Sequence, residues 1–145
     1  MASSSLRVHV LRVRPGQDLV QSLKDLVSES GLRAPFILSC VGSVTSVRLR
    51  LASATAAEPN QVLDLSGPFE ILSLVGTLNP EAHLHLCVGD SIGRCVGGHV
   101  LGPLPVLTTA EVVVGEAPAL CFSRHPDPQT GFNELVVEDR DQDQD

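Results

Sequence analysis

The sequence predicts an α+β fold in which a mostly antiparallel β-sheet carries one main helix packed on it. Only one stretch shows helical periodicity, whereas short runs rich in Val, Leu and Ile recur along the rest of the chain. Glycine and proline, 12 and 10 of the 145 residues, separate these runs as turn residues do. The chain has no Trp or Tyr and four Phe. Its core must therefore be aliphatic, which suits a β-rich fold.

The amino-terminal part predicts a strand followed by the single helix. Residues 6–13 (LRVHVLRV) alternate apolar and polar side chains, as a half-buried strand does. Within residues 15–32, apolar side chains recur at intervals of three and four and form one stripe along a helix. Asp18 is predicted as the N-cap, and Gly31 stands where a helix ends.

The rest of the chain predicts strands. Residues 35–53 predict two strands hinged near Gly42, and residues 56–61 predict a loop. Residues 69–78 are apolar on both faces, which is typical of a central strand. Further strands are predicted at 107–115, 119–125 and 133–138, and the segments 83–90 and 94–101 predict the two arms of a hairpin.

Length and charge predict one domain followed by a short tail. A chain of 145 residues is long enough for one compact core, which we assign to residues 1–136. Residues 137–145 (VEDRDQDQD) predict an acidic, disordered carboxyl-terminal tail. The formal net charge of −7 is unfavourable for phosphate contacts, so direct binding to nucleic acid is not expected.

Targeting signals are not evident in the sequence. No run approaches the ~18–20 apolar residues of a membrane span, and the first residues lack a basic leader before an apolar run. We therefore expect no membrane contact, no secretory signal and a cytoplasmic or nuclear location. The four cysteines are expected to be free thiols in such a reducing compartment. No nucleotide-binding motif is present, so no nucleotide cofactor is predicted.

A predicted β-hairpin concentrates three of the five histidines. HLHLCVGD and RCVGGHVL flank a three-residue loop that ends with Gly93 in the left-handed conformation. This register closes the hairpin at an Asp90–Arg94 ion pair and places His85 opposite His99. His83 shares their face, because residues two apart on a strand point the same way.

His83, His85 and His99 are therefore candidate metal ligands. Three neutral imidazoles with a fourth position open are typical of a catalytic or ligand-binding zinc site, and nickel, copper or iron also accept imidazole. The alternative interpretation is a hydrogen-bonded polar patch. A register slip of one residue would turn His99 to the opposite face.

Five motifs resemble the PPC domain family, named for plant and prokaryote conservation. The resemblance covers nearly the whole chain except its two ends, and the motifs follow the order of the family. No RGRP-type AT-hook is present, so the chain is similar to a stand-alone member of the family. The motifs are RPGQDL (14–19), GSVTSVRLR (42–50), FEILSLVGTL (69–78), HLHLCVGDSIGRCVGGHVLG (83–102) and PVLTTAEVVV (105–114).

This resemblance implies a compact α+β domain that assembles as a homotrimer. It also implies a bound metal, zinc or another divalent transition metal, at the three histidines of the hairpin. The family has Glu at the positions of Glu70 and Glu111, which makes these residues candidates for proton handling or for support of the site. The alternative for both carboxylates is a hydrogen-bond network or an interface.

Three classes of function follow. The first is a homotrimeric binding or scaffold protein that contacts other proteins, with a link to DNA-associated regulation as in the plant members. The second is a metal-dependent enzyme that acts on a small molecule, for which no catalytic residue is identified. The third is direct DNA binding, which the charge and the missing hook disfavour.

Overall fold

The computed structural model describes residues 2–58 and 61–140, and one helix and eight strands lie within them. Every strand pairing among these elements is antiparallel, so the predicted α+β class with a single helix is confirmed. In chain order the elements are β1 (Arg7–Val13), α1 (Leu19–Glu29), β2 (Pro35–Arg50), β3 (Val62–Thr77), β4 (His83–Gly89), β5 (Cys95–Val100), β6 (Val106–Glu116), β7 (Leu120–Pro126) and β8 (Asn133–Asp139).

Six strands form the main sheet in the order β1-β6-β2-β3-β4-β5. The 16-residue strands β2 and β3 lie inside this order, which confirms the predicted central strand, although it ends at Thr77 rather than at residue 78. The carboxyl end of β2 also pairs with β5, so that Arg50 lies opposite His99. Strands β2 to β5 therefore close on themselves, and the end of β2 comes to lie beside the hairpin histidines.

The core lies on the inner side of this closed part of the sheet. Leu84, Leu86 and Val88 of β4 are between 0% and 2% exposed. Leu19 and Leu23 of α1 are fully buried in the same apolar cluster. The helix therefore packs its apolar stripe against the sheet, as its periodicity predicts.

Asp18 is the N-cap of α1, as predicted. Its Oδ1 accepts a hydrogen bond from the backbone N–H of Val20 at 3.0 Å and another from that of Leu104 at 2.8 Å. One carboxylate therefore caps the helix and fastens it to the segment before β6. Gly31, at a φ of 61°, directly follows the C-cap residue Ser30, as predicted.

Two strands are longer than the sequence predicts. Strand β2 is continuous, because register shifts around Val44 bend it near Gly42 instead of dividing it into two strands. Strand β3 begins at Val62 rather than at residue 69. Glycine and proline at positions 67 and 68 interrupt the strand pattern, so the sequence does not predict the first half of β3. The register shift in the pairing with β2 at this point accommodates the proline.

The predicted tail boundary at residue 137 is wrong. Strand β8 continues to Asp139, and Val137 pairs with Phe122 of β7 in a separate two-stranded sheet. This cross-strand pairing keeps residues 137–139 in the fold despite their acidic composition. Residues 141–145 of the predicted tail and residues 59–60 of the predicted loop lie outside the described residues.

The β7–β8 hairpin is fastened to the main sheet by Asn79. The side-chain Nδ2 of Asn79 donates to the carbonyl oxygens of Arg33 at 2.9 Å and Phe122 at 3.2 Å. Because the contact joins β7 to the segments before β2 and before β4, it places the small hairpin close to the start of β4.

Two further expectations concern thiols and membranes. All four cysteines are free, as predicted. Among the described residues, no helix combines the length and the apolar character that crossing a membrane requires.

Candidate metal centre

The hairpin of β4 and β5 has the predicted register. His85 pairs with His99, and Cys87 pairs with Gly97. The alternative register, slipped by one residue, is therefore not adopted, and His99 does not turn to the opposite face. The local turn sequence determines this outcome, because loop length and turn type set the pairing of the two strands.

The turn itself follows the expected geometry. Gly93 has a φ of 83°, which a residue without a side chain adopts at little cost. Its N–H donates to the carbonyl of Asp90 at 3.0 Å. The predicted ion pair is present, with Nε of Arg94 2.9 Å from Oδ2 of Asp90.

Because successive side chains of β4 alternate between its two faces, the histidines lie on the face opposite the core. Leu84 and Leu86 point inward and are buried. His83 and His85 therefore point outward, because successive side chains of a strand lie on opposite faces. Cross-strand pairing places His99 on the same outer face.

The three imidazole rings form a compact cluster. Their centroids lie 5.4 Å apart for His83 and His85, 5.0 Å for His83 and His99, and 5.6 Å for His85 and His99. One nitrogen of each ring lies within 4.8 Å of the others. Nitrogens around tetrahedral zinc are about 3.4 Å apart for a Zn–N distance of about 2.0–2.1 Å, so the rings would have to move closer together to hold an ion.

Burial and positive neighbours keep two of these rings neutral at pH 7. Burial, then the charge of Arg50 and then the other two histidines lower the pKa of His99 to about 4. Burial also lowers the pKa of His83, together with the charge of Arg124, while Glu134 opposes the shift. A neutral imidazole retains the lone pair that a metal requires.

The donor set fits a divalent transition metal. Nδ1 of His99 is enclosed and has no hydrogen-bond partner within residues 2–58 and 61–140. An enclosed polar atom without a partner is costly, and a ligand or ion at this point would satisfy it. Three imidazole nitrogens suit zinc and also nickel, copper or iron.

The two carboxylates predicted to support the site lie elsewhere. Glu70 pairs with Gly89, at the opposite end of β4 from His83, which is about 20 Å away at about 3.3 Å per residue. Glu111 lies on β6, which pairs with the amino-terminal half of β2 rather than with the hairpin. Both are exposed. The structure therefore brings neither carboxylate to the histidines of the same chain, because strand pairing separates these motifs, and their supporting role stays a prediction.

Two arginines that the sequence analysis did not select lie beside the cluster. Arg50 pairs with His99, and its guanidinium carbon lies 5.3 Å from the ring centroid of Phe132. Arg124 of β7 donates from Nη2 to Oγ1 of Thr77 at 3.0 Å. Alternation in the sequence marks Arg50 only as a strand surface residue, and no local signal marks Arg124. Pairing of β2 with β5 and the position of the β7–β8 hairpin bring both to the site.

The chain is similar to known proteins in both sequence and structure. A family model of the Plants and Prokaryotes Conserved (PCC) domain matches residues 1–118. The chain is 44% identical over 139 residues to a bifunctional protein GlmU from a Synechococcus strain, covering 95% of this chain and 21% of that protein. It is 33% identical over 129 residues to AT-hook motif nuclear-localized protein 20 of Arabidopsis thaliana, covering 85% of this chain and 44% of that protein. The chain thus spans less than half the length of these relatives.

Solved structures share the whole fold. A Salmonella enterica protein is 41% identical with a TM-score of 0.88, covering 96% of this chain and 98% of that chain. A metal-containing protein from Archaeoglobus fulgidus is 28% identical with a TM-score of 0.78, covering 94% and 99%. A plant- and prokaryote-conserved protein from Pyrococcus horikoshii, 23% identical with a TM-score of 0.79 and coverage of 94% and 97%, shares the fold. The chain therefore belongs to the Plants and Prokaryotes Conserved domain family.

Proposed function

We propose that this protein is a homotrimeric binding protein that holds one divalent transition metal per chain through His83, His85 and His99. The convergence of three imidazole nitrogens within 4.8 Å on one sheet face carries the proposal. Zinc is the first candidate, because three histidines with an open position match its preferred ligands. The Archaeoglobus relative, a metal-containing protein of the same fold, supports this assignment.

Metal analysis of protein purified without a histidine tag tests the proposal. We expect about one zinc, nickel, copper or iron ion per chain. Each of the changes His83→Asn, His85→Asn and His99→Asn removes one ligand and should weaken binding of added zinc by at least about tenfold. Isothermal titration of metal-free protein with zinc measures this affinity.

His125→Asn is the matched control for these variants. His125 lies on β7, is exposed and is not part of the cluster. This variant should bind zinc as the unchanged protein does. Absence of metal from the unchanged protein, together with failure to bind added zinc, would contradict the proposal. Equal loss in His125→Asn and in the cluster variants would contradict the ligand assignment.

The homotrimer is proposed on the family resemblance and on the apolar surface. Four apolar strand residues are each more than half exposed in the single chain. Exposed apolar side chains on strands are typical of surfaces that become buried in an assembly. Further partners would be proteins, and DNA-associated ones are included because one relative is an AT-hook motif nuclear-localized protein. The four residues are Val10, Val41, Leu72 and Val75.

A metal-dependent enzyme acting on a small molecule is the second candidate function. The observation that favours it is a cavity directly beside two of the histidines. A metal bound there would supply a Lewis acid or an activated water. Direct DNA binding is disfavoured by the net charge of −7. Conversion of a small molecule that is lost in the cluster variants and retained in His125→Asn would select the enzyme over the scaffold.

A further inference from the structure

A cavity of about 330 Å³ lies between the histidine cluster and the β7–β8 hairpin. His83 and His99 form one side of it, and Arg50 and Arg124 form another. Its volume is at the lower end of the range for small-molecule sites. The cavity therefore suits a compact ligand that touches the histidines and the arginines together.

Both arginines lack a carboxylate partner among the described residues. Neither Arg50 nor Arg124 forms an ion pair within the part of the chain that the structure describes. The ring of Phe132, 5.3 Å from the guanidinium carbon, holds Arg50 in place by a cation–π contact. Their charges are therefore available to a ligand.

Arg124 has an unused hydrogen-bond donor. One of its terminal nitrogens, Nη2, donates to Thr77 at 3.0 Å. Its Nε is enclosed and has no partner among the described residues. An enclosed charged N–H without an acceptor costs free energy, so a ligand oxygen that accepts from it is favoured. The planar donor fork of arginine matches a carboxylate in particular.

Two acidic side chains limit the charge that the cavity accepts. Glu81 and Glu134 also line it, and Oε1 of Glu134 is fixed by a hydrogen bond from the hydroxyl of Thr130 at 2.9 Å. They balance the charges of the two arginines, so the cavity as a whole is not strongly positive. With two charges of each sign along its lining, the cavity suits a small acid with one to three carboxylates better than a polyphosphate or a nucleic-acid backbone.

We infer that this cavity binds a small organic acid, whose carboxylate is held by Arg50 and Arg124 next to the histidine cluster. The inference rests on the proposed function, because it gives the ligand class of the same metal centre. The arginines select and orient the acid. The histidines would hold the metal ion. The end of the acid that is not bound by the arginines lies toward this ion.

Binding of acetate, succinate and citrate to the zinc-loaded protein tests this inference, with inorganic phosphate at equal ionic strength as the competing anion. We expect saturable binding of at least one acid by titration calorimetry. Arg50→Gln and Arg124→Gln should each weaken it by about tenfold or more, the loss of one charge-assisted pair. Arg124→Lys keeps the charge without the fork and should bind with intermediate affinity.

Arg48→Gln is the matched control. Arg48 lies two residues before Arg50 on β2, outside the cavity, in an exposed ion pair with Asp64. The Arg48→Gln protein should bind the acid with the affinity of the unchanged protein. Thermal unfolding should show that all the arginine variants are folded. The inference is overturned if none of the three acids binds saturably, if phosphate binds more tightly, or if Arg48→Gln weakens binding as much as the other changes.

Zinc content separates this inference from the proposed function. Arg50→Gln and Arg124→Gln should retain zinc, and His83→Asn should lose it. Zinc binding without acid binding overturns the inference alone. Arginine-dependent acid binding by a protein that takes up no zinc overturns the proposed function and leaves the carboxylate site. Addition of the acid to cobalt-substituted protein should change the visible spectrum, and an unchanged spectrum overturns the placement beside the metal.

Discussion

Asp90 organises the turn that fixes the register of the histidine hairpin. Its Oδ1 accepts from the backbone N–H groups of Ile92 at 3.0 Å and Arg94 at 2.8 Å. Desolvation acts to raise the pKa of Asp90, but these hydrogen bonds and the Arg94 side chain outweigh it and hold the pKa below the ordinary value of 3.8. The ionised carboxylate therefore stabilises the folded state above pH 3.8. That contribution is lost as the pH falls through the lower pKa of the folded protein.

Asp90→Asn should lower the Tm at pH 6, because asparagine keeps an acceptor oxygen but loses the charge. The difference from the unchanged protein should shrink once the pH falls below 3.8. Thermal unfolding at a series of pH values measures it, and Asp64→Asn, in an exposed ion pair, serves as the control. A difference that stays constant from pH 6 to the acid end of the series would contradict this explanation.

At the scale of secondary-structure elements, Asp18 both caps the helix and bonds it to the segment before β6. Asp18→Ala removes the cap of Val20 and leaves the enclosed N–H of Leu104 without its acceptor. We expect the free energy of unfolding to fall by about 2–3 kcal/mol, the sum of a lost cap and an unpaired donor. Urea denaturation measures this change. Asp18→Asn keeps the acceptor and should lose less, so equal losses in the two variants would contradict the capping explanation.

The contact between β5 and β2 depends on a glycine. A Cβ at Gly98 would lie 2.7 Å from the carbonyl oxygen of Arg50 and 3.2 Å from Cβ of Leu49. Gly98→Ala must therefore push the hairpin away from β2 and shift the neighbouring His99. We expect a loss of about 1–3 kcal/mol in the free energy of unfolding together with weaker zinc binding.

Gly102→Ala is the control for this prediction. A Cβ there would meet its nearest neighbour, Cβ of Arg48, at 3.4 Å, which is ordinary contact. This variant should keep its stability and its zinc affinity to within about 0.5 kcal/mol. Unchanged zinc affinity in Gly98→Ala would show that closure of the sheet does not position His99.

For the whole molecule, the proposed assembly has a direct test. Three chains of 15.3 kDa give a mass of about 46 kDa. Light scattering during size-exclusion chromatography should report this mass over a wide range of concentrations, because a closed symmetric assembly buries the apolar strand residues that a single chain exposes. A mass near that of one chain at every concentration would contradict the homotrimer.

Much of the fold and the histidine arrangement could be predicted from local patterns. The stripe of α1, its cap at Asp18 and the turn at Gly93 each depend on residues within a few positions of one another. The pairing of His85 with His99 follows from the turn, because its length fixes the register. The family motif that contains Glu70 carries no information on its distance from the histidines, and in the single chain Glu70 lies at the far end of β4 from His83.

The sequence by itself determined the fold class, the helix and the face that the three histidines share, since alternation and turn chemistry act over short distances. Only the tertiary structure decided what surrounds them. Pairing of β2 with β5 brings Arg50 to His99, and the position of the β7–β8 hairpin brings Arg124 to Thr77. These contacts join residues some fifty positions apart along the chain. They depend on how the whole core packs, which no short stretch of sequence encodes.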